Sequence, residues 1–217
     1  TIDGQDVKAK AVLIATGSDY KKLGVPGEKE LYGRGVHYCA TCDGAFYRDK
    51  TLAVVGGGNS AIQETIFLTR YATHIDLLVR STVKASDVLQ HELQKYVDSG
   101  QVTIHLNTTT DEIIVSDGRA SGVKVTEGDK KHDIAVDGVF VFVGLLPNTA
   151  FLSETPVELD EVGLIKTNNR LETSMPGVFA SGDVRSGATM QIASAVGEGA
   201  SAALAIREYL DEFDRVA

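Results

Sequence analysis

The segment Thr51–Ala61 (TLAVVGGGNSA) constrains this chain more than any other. A short apolar run, Thr51 to Val55, opens directly onto Gly56-Gly57-Gly58. Asn59 to Tyr71 then carries apolar residues at helical spacing, with Ile62 and Ile66 one turn apart and Ala61 and Leu68 flanking that face. Gly-x-Gly-x-x-Ala between a buried strand and a helix has a physical reason. Gly56 permits the tight turn, Gly58 lets a pyrophosphate approach the backbone, and Ala61 allows close strand–helix packing. The helix opening at Asn59 and Ser60 offers unpaired N–H groups to an anion. A second strand, His74 to Val79, ends about twenty residues later, as a βαβ dinucleotide fold requires. Its end reads Val79-Arg80-Ser81, with Lys84 a few residues on. No carboxylate stands there for a ribose 2′-hydroxyl, so the charge leans toward a 2′-phosphate and NADPH, with NADH still open. Arg80 and Lys84 also fit an ordinary solvated surface pair.

The rest of the chain alternates strand and helix. Ala9 to Thr16 reads as a buried strand closing at Gly17. The Gly/Pro-rich stretch Leu23-Gly24-Val25-Pro26-Gly27 marks a domain boundary. Ser86 is placed to cap a helix with apolar residues at Leu89, Leu93, Tyr96 and Val97, stopped by Gly100. Val102 to Leu106, Glu112 to Val115, Ser121 to Val125 and Ile134 to Val143 are β-rich, and Asp117-Gly118 and Gly128-Asp129 signal hairpins. A strand at Gly177 to Ala180 and a long helix from about Met190 to Phe213 follow. The expectation is an α/β architecture on parallel sheets with one inserted antiparallel meander.

Composition narrows the function. With 21 basic and 30 acidic residues, net charge −9, a nucleic-acid partner is not expected. No stretch approaches the roughly 20 apolar residues of a spanning helix and no secretory signal opens the chain, so no membrane partner and a cytoplasmic location are expected. The two cysteines both lie in Cys39-Ala40-Thr41-Cys42. A structural zinc site needs four ligands, and the histidines at 37, 74, 91, 105 and 132 supply no second half-site, so no metal is expected. A redox dithiol is the better fit for such a pair in an intracellular chain. Asp43, directly after Cys42, is placed to give and take the proton of a thiolate, or serves as a turn-former ahead of Gly44.

Five motifs in order, Ala15-Thr16-Gly17, Cys39 to Gly44, Gly56 to Ala61, Gly144 to Thr149 (GLLPNT) and Gly177 to Val184 (GVFASGDV), carry a resemblance. Over Ala11 to about Leu210 the chain resembles the thioredoxin reductases of low-molecular-weight, bacterial and archaeal type, in the pyridine nucleotide-disulfide oxidoreductase family. It is also similar to the flavoprotein subunit of alkyl hydroperoxide reductase. The resemblance implies a homodimeric flavoprotein disulfide reductase that passes electrons from NAD(P)H through FAD and a Cys39–Cys42 disulfide to thioredoxin or a thioredoxin-like or peroxiredoxin-type partner. It assigns Cys42 to the flavin side, Cys39 to exchange with the partner and Asp43 to acid–base work. Thr16, Gly17, Gly182, Asp183, Gln191 and Ile192 would lie at FAD, and Gly56, Gly58, Asn59, Ser60, Ala61, Arg80, Lys84 and Gly144 complete the implied cofactor set.

Departures from that pattern carry information as well. NADPH-specific members show His-Arg-Arg and a further Arg where this chain has Val79-Arg80-Ser81 and Lys84. Met190 stands where an Arg often lies beside the flavin. Thr1 is not an initiator Met, and the only dinucleotide fingerprint follows the Cys motif. The implied fold is a Rossmann-like three-layer dinucleotide-binding domain with an inserted β-meander, plus part of a second, similar FAD-binding domain. Residues 1–22 would end the first half of the FAD domain, 23–146 form the NAD(P)H domain with the Cys pair, and 147–217 form the second half. Such a piece is expected to bind NAD(P)H weakly, not to retain FAD and not to turn over. Two alternatives stand: an NADH-dependent peroxiredoxin-linked reductase or NADH oxidase, and a non-catalytic nucleotide-binding module with a redox-sensing dithiol.

Overall fold

A strand buried on both faces reads as an unbroken apolar run, and such runs pair in parallel at the centre of this chain. The computed structural model describes residues 4–216. In chain order the elements are β1 (Val12–Ile14), β2 (Ser18–Tyr20), β3 (Val36–His37), α1 (Ala40–Asp43), β4 (Thr51–Val55), α2 (Asn59–Leu68), β5 (His74–Val79) and α3 (Asp87–Asp98). They continue with β6 (Val102–Leu106), β7 (Thr108–Ser116), β8 (Arg119–Glu127), β9 (Lys130–Ala135), β10 (Gly138–Val141), β11 (Leu145–Pro147), β12 (Val178–Ala180) and α4 (Ile192–Val216). The chain divides into two units, one of residues 20–144 and one formed by residues up to 19 with those from 145 on.

In the first unit a five-stranded sheet has the order β3-β10-β4-β5-β6, with every pairing parallel. Alternate residues of β4 enter different cores. Leu52 and Val54 pack with Ile62, Leu68, Leu93 and Phe140 beneath α2 and α3. Ala53 and Val55 pack with Ile113, Val123, Val125 and Val139 beneath the antiparallel meander β7-β8-β9. Helices, parallel sheet and meander form three layers. The β7–β8 hairpin closes through Asp117 and Gly118, both at positive φ (51° and 72°), the mirror-image turn whose twist suits two paired strands.

The second unit holds the parallel pair β1–β12, the two-stranded ribbon β2–β11 and α4. Its core gathers Ile14, Leu152, Val157, Ile165, Ala180 and Val184.

Several element boundaries differ from expectation, each for a local reason. The strand expected over Ala9–Thr16 pairs only over Val12–Ile14, because its partner β12 is three residues long. The helix expected to reach Tyr71 closes at Leu68, and residues 69–72 turn back onto the carbonyls of Thr65, Phe67 and Leu68. The run Ile134–Val143 breaks at Asp137, where the chain leaves the meander and enters the parallel sheet. The Asp137 carboxylate accepts from the Thr51 N–H (2.9 Å) and hydroxyl (3.1 Å), and its own N–H donates to the Thr51 carbonyl (2.8 Å). Ser86 stands at the N-cap of α3 but its hydroxyl makes no capping bond. The last helix begins at Ile192 rather than Met190, because Met190 has φ +57°, outside helical space, and it runs on to Val216.

Phe140 is fully buried on β10, between β3 and β4, against His37, Tyr47 and Phe142. Phe140→Ala removes a large side chain from a closed site and is expected to cost about 3–5 kcal/mol. Urea unfolding, with the slope unchanged, checks this.

Candidate functional site

The turn after β4 shows why glycine stands at Gly56. Its φ is +148°, and a Cβ there would lie 2.4 Å from the Phe142 carbonyl oxygen and 2.8 Å from the Ala61 Cβ. A Cβ on Gly57 would lie 2.7 Å from Val79. Gly58, by contrast, has nothing within 4 Å of where a side chain would begin, so its backbone faces open space. This turn floors a cleft of about 600 Å³ lined by Gly56 to Ala61, Arg80 to Thr82, Lys84, Thr108 to Thr110 and Gly144. Lys21 and Lys22 join Arg80 and Lys84, so among the described residues four cations and no carboxylate line it. The structure therefore brings together Gly56, Gly58, Asn59, Ser60, Ala61, Arg80, Lys84 and Gly144. Two bonds hold the Arg80–Ser86 loop to the glycine turn: Lys84 N–H to the Gly57 carbonyl (2.7 Å) and Ser86 N–H to Asn59 Oδ1 (2.8 Å). The Asn59 side chain thus organises the loop. A cradle that an added Cβ would fill, open at Gly58 and rimmed by cations, fits the phosphates of a nicotinamide nucleotide.

The Cys motif follows β3 in the same unit. Cys39 and Cys42 are joined by a disulfide with Cα atoms 5.3 Å apart. Cys39 is the N-cap of α1, and the Cys42 N–H donates to its Sγ (3.1 Å). Cys42 is exposed and Cys39 half-buried. Two side chains before the disulfide, His37 at the end of β3 and Tyr38 just after it, are fixed on opposite sides of the chain. Tyr38 enters the core under the meander and donates to Glu28 Oε1 (2.7 Å), a buried carboxylate that also accepts from the N–H groups of Leu23 and Gly24. Burial first, and then the hydrogen bond to Glu28 and its charge, push the Tyr38 hydroxyl well above the usual tyrosine range. His37, only 8% exposed, turns the other way onto Phe140. Its Nδ1 lies 3.0 Å from Asp43 Oδ2 and its Nε2 lies 2.7 Å from the Tyr47 hydroxyl.

In the second unit Thr16 and Gly17 close against the Pro147–Thr149 turn. Thr16 Oγ1 donates to the Asn148 carbonyl (2.8 Å), Asn148 Nδ2 donates to the Thr16 carbonyl (3.0 Å), and the Asn148 N–H donates to the Gly17 carbonyl (3.1 Å). Ser18 Oγ donates to the Asp183 carbonyl (2.6 Å), which brings Gly17 and Asp183 side by side beyond the ends of β1 and β12. Gly182 packs under Ala195 of α4, and its N–H donates to Glu198 Oε2 (2.8 Å). Gln191 accepts from the Ala195 N–H as α4 begins, and Ile192 is exposed.

Side chains absent from the sequence expectation also shape these sites. Lys21 and Lys22 reach the cleft from beyond the glycine motif, which no local pattern signals. Glu198 pairs with Arg185 and holds Gly182. His37 was legible only as a histidine two residues before a Cys pair. His74 and His105 meet at Asp76, the His105 pair at 2.8 Å, yet among the described residues no group of three or more His, Cys, Asp or Glu could hold a metal.

A parallel sheet flanked by helices and a meander, with a glycine turn over a cationic cleft and a Cys-x-x-Cys disulfide in one unit, defines a dinucleotide-binding, disulfide-bearing α/β protein. Family models match accordingly: residues 1–199 fit the pyridine nucleotide-disulphide oxidoreductase model. The chain belongs to that family. It is 41% identical over 211 residues to thioredoxin reductase of Bacillus subtilis (strain 168), covering 96% of this chain and 66% of that one. It is 42% identical over 216 residues to the Listeria innocua thioredoxin reductase, covering 98% and 66%. Among solved structures it is similar to thioredoxin reductase from Streptococcus pyogenes MGAS5005, with TM-score 0.88, 39% identity and coverage of 97% of this chain and 68% of that chain. The chain thus spans 66% of the length of these curated relatives.

The Arg185–Glu198 pair generates a pH prediction. The Arg185 guanidinium, aided by the Gly182 N–H, holds the Glu198 carboxyl below its usual range against the opposing effect of burial. A carboxyl depressed in the folded state stabilises fully above its unfolded value, about 4.3, and loses that contribution as pH falls through the folded value. The gap in urea midpoint between wild type and Glu198→Ala is therefore expected to be constant above about pH 5.5 and to shrink below about pH 4.3.

Proposed function

We propose that this chain is the dithiol- and nicotinamide-bearing part of a thioredoxin reductase, which reduces a disulfide in a small protein at the expense of NADPH. The observation that carries this reading is a disulfide with an adjacent carboxylate in the same unit as a carboxylate-free, cationic glycine cleft. Arg80 and Lys84 would hold the 2′-phosphate of NADPH, and the open backbone at Gly58 and the start of α2 would hold its pyrophosphate. NADH binds the same cleft more weakly, since no carboxylate lines it to take the ribose hydroxyl.

Thr16, Gly17, Gly182, Asp183, Gln191 and Ile192 would hold FAD, which when bound supplies the two-electron carrier between nicotinamide and disulfide. Gly17, with φ +67° and nothing within 4 Å of an added Cβ, gives the open backbone such a contact needs. In the reduced protein the Cys42 N–H favours a thiolate on Cys39. That thiolate attacks one sulfur of the partner disulfide, and the other partner sulfur leaves with the electron pair. Cys42 then displaces the partner, re-forming the Cys39–Cys42 bond, while Asp43 exchanges the protons. The partner is thioredoxin or a protein of similar dithiol type, the working protein is a homodimer, and it acts in the cytoplasm.

The test uses the intact protein with bound flavin, NADPH and oxidised thioredoxin. Turnover and its loss in Cys42→Ser are expected; disulfide reduction that survives in Cys42→Ser overturns the electron path. Faster reduction of a peroxiredoxin-type acceptor would move the assignment to the hydroperoxide-reductase relatives. For the nucleotide, calorimetric titration of Arg80→Ala/Lys84→Ala is expected to show 2′,5′-ADP binding weakened about tenfold or more, the scale of charge-assisted contacts, with 5′-ADP within about twofold. Equal losses for both ligands would remove the 2′-phosphate role.

A further inference from the structure

We propose that His37 is the inner link of a proton relay that connects Asp43, beside the redox disulfide, through Tyr47 to a surface pocket beyond it. The inference rests on the proposed acid–base role of Asp43 and extends it to where the protons come from and go.

The geometry dictates a direction. An ionised carboxylate only accepts, so the His37 nitrogen 3.0 Å from Asp43 Oδ2 carries the hydrogen. The neutral ring then has a lone pair on Nε2, and its neighbour at 2.7 Å, the Tyr47 hydroxyl, is the donor. Both ring nitrogens are thereby used, in series: Tyr47 O–H to Nε2, and Nδ1–H to Asp43. Burial, and then the Asp43 charge, raise the Tyr47 hydroxyl to about 12, so it holds its proton at neutral pH.

The three groups are also held in place. The imidazole stacks on Phe140 with ring centroids 5.2 Å apart, and Tyr47 stands edge-on to both His37 (5.3 Å) and Phe140 (5.5 Å). Gly138 makes room for Tyr47, since a Cβ there would lie 2.3 Å from the tyrosine Cε1. The outer end of the chain is open. His37 and Tyr47 line a pocket of about 500 Å³ with Arg34, Lys50, Arg119 and Asp137, the charged groups that face the relay besides Asp43. A histidine kept only for packing needs neither a second partner in line nor a pocket behind that partner.

Reducing the disulfide to two thiols consumes two electrons and two protons. As a departing thiolate draws a proton through Asp43, His37 passes its Nδ1 proton to the Asp43 carboxylate, which hands it on; Tyr47 passes its own to Nε2, and pocket water reprotonates Tyr47. Oxidation of the dithiol runs the same transfers in reverse.

The test follows oxidation of the reduced dithiol in the intact protein by 2-hydroxyethyl disulfide, which is itself reduced to two molecules of mercaptoethanol. Rates are read by acid quench and alkylation at low buffer, with and without added imidazole. His37→Gln and Tyr47→Phe are each expected to slow the reaction about fivefold and to become dependent on imidazole, which restores the rate. This is a small part of the roughly 10²-fold or more that a positioned proton carrier supplies. The reason is that Asp43, 31% exposed, keeps a direct route to water. Tyr47→Phe retains the ring packing, so it stands if His37→Gln does not fold. Nitrogen-15 spectra of wild-type His37 are expected to show the proton on Nδ1. Slowing in Asp43→Asn with unchanged rates in both relay variants would overturn the relay and leave the Asp43 role intact. An unchanged Asp43→Asn would overturn the acid–base reading itself, and the relay with it. Slow variants indifferent to imidazole, or a proton on Nε2, would reduce His37 to a packing residue.

Discussion

Backbone pairing of β10 on both sides, to β3 and to β4, organises the larger unit. Val139 aligns with Val36 on one side and with Ala53 on the other, and Phe140 aligns with His37 and Val54. Three parallel strands in register send their carboxyl ends to the same edge, so the Cys loop after β3 and the glycine turn after β4 leave the sheet two strands apart, about 10 Å. Parallel neighbours need long crossovers, and β10 arrives only after the meander has been laid over the sheet. The corner at Asp137 fixes that arrival, with three hydrogen bonds to Thr51 at the entry of β4. Phe140, at the middle of β10, then supplies the surface on which His37 lies.

Charge is distributed unevenly around this frame. The chain carries net charge −9, yet the walls of the glycine cleft carry Lys21, Lys22, Arg80 and Lys84. Two of the carboxylates placed inside the fold are bound to several donors each. Glu28 ties the Leu23–Gly24 segment to Tyr38, next to the disulfide, and Glu198 ties Arg185 to Gly182. In both cases a buried or half-buried acid gathers N–H groups from a turn and so sets the backbone beside a candidate functional residue.

Much of the fold was legible in local pattern. The run from Thr51 through Leu68 reads as strand, glycine turn and helix because each of those states depends on near neighbours: apolar periodicity, the crowding that forbids a side chain at Gly56, and the small Ala61. Asp117-Gly118 signals its hairpin for the same reason, since both residues tolerate positive φ. What misled was also local. Ile134 to Val143 looks like one strand, because a β-period pattern carries no mark of the place where pairing changes from antiparallel to parallel. Met190 looks like the start of a helix until its backbone angle excludes it.

The candidate site divides along the same line. The disulfide spacing, the carboxylate after it, and the cations on the Arg80–Lys84 loop are contiguous features, so the sequence by itself determined that a dithiol, an acid and a phosphate-seeking turn exist in this chain and in what order. Tertiary structure alone decided which distant groups join them: Lys21 and Lys22 at the cleft, Glu28 behind Tyr38, and Tyr47 in line with His37 and Asp43. The physical reason is that such partners meet through strand order and core packing. The β3-β10-β4 pairing brings His37 onto Phe140, and no periodicity along the chain encodes which strand lies beside which.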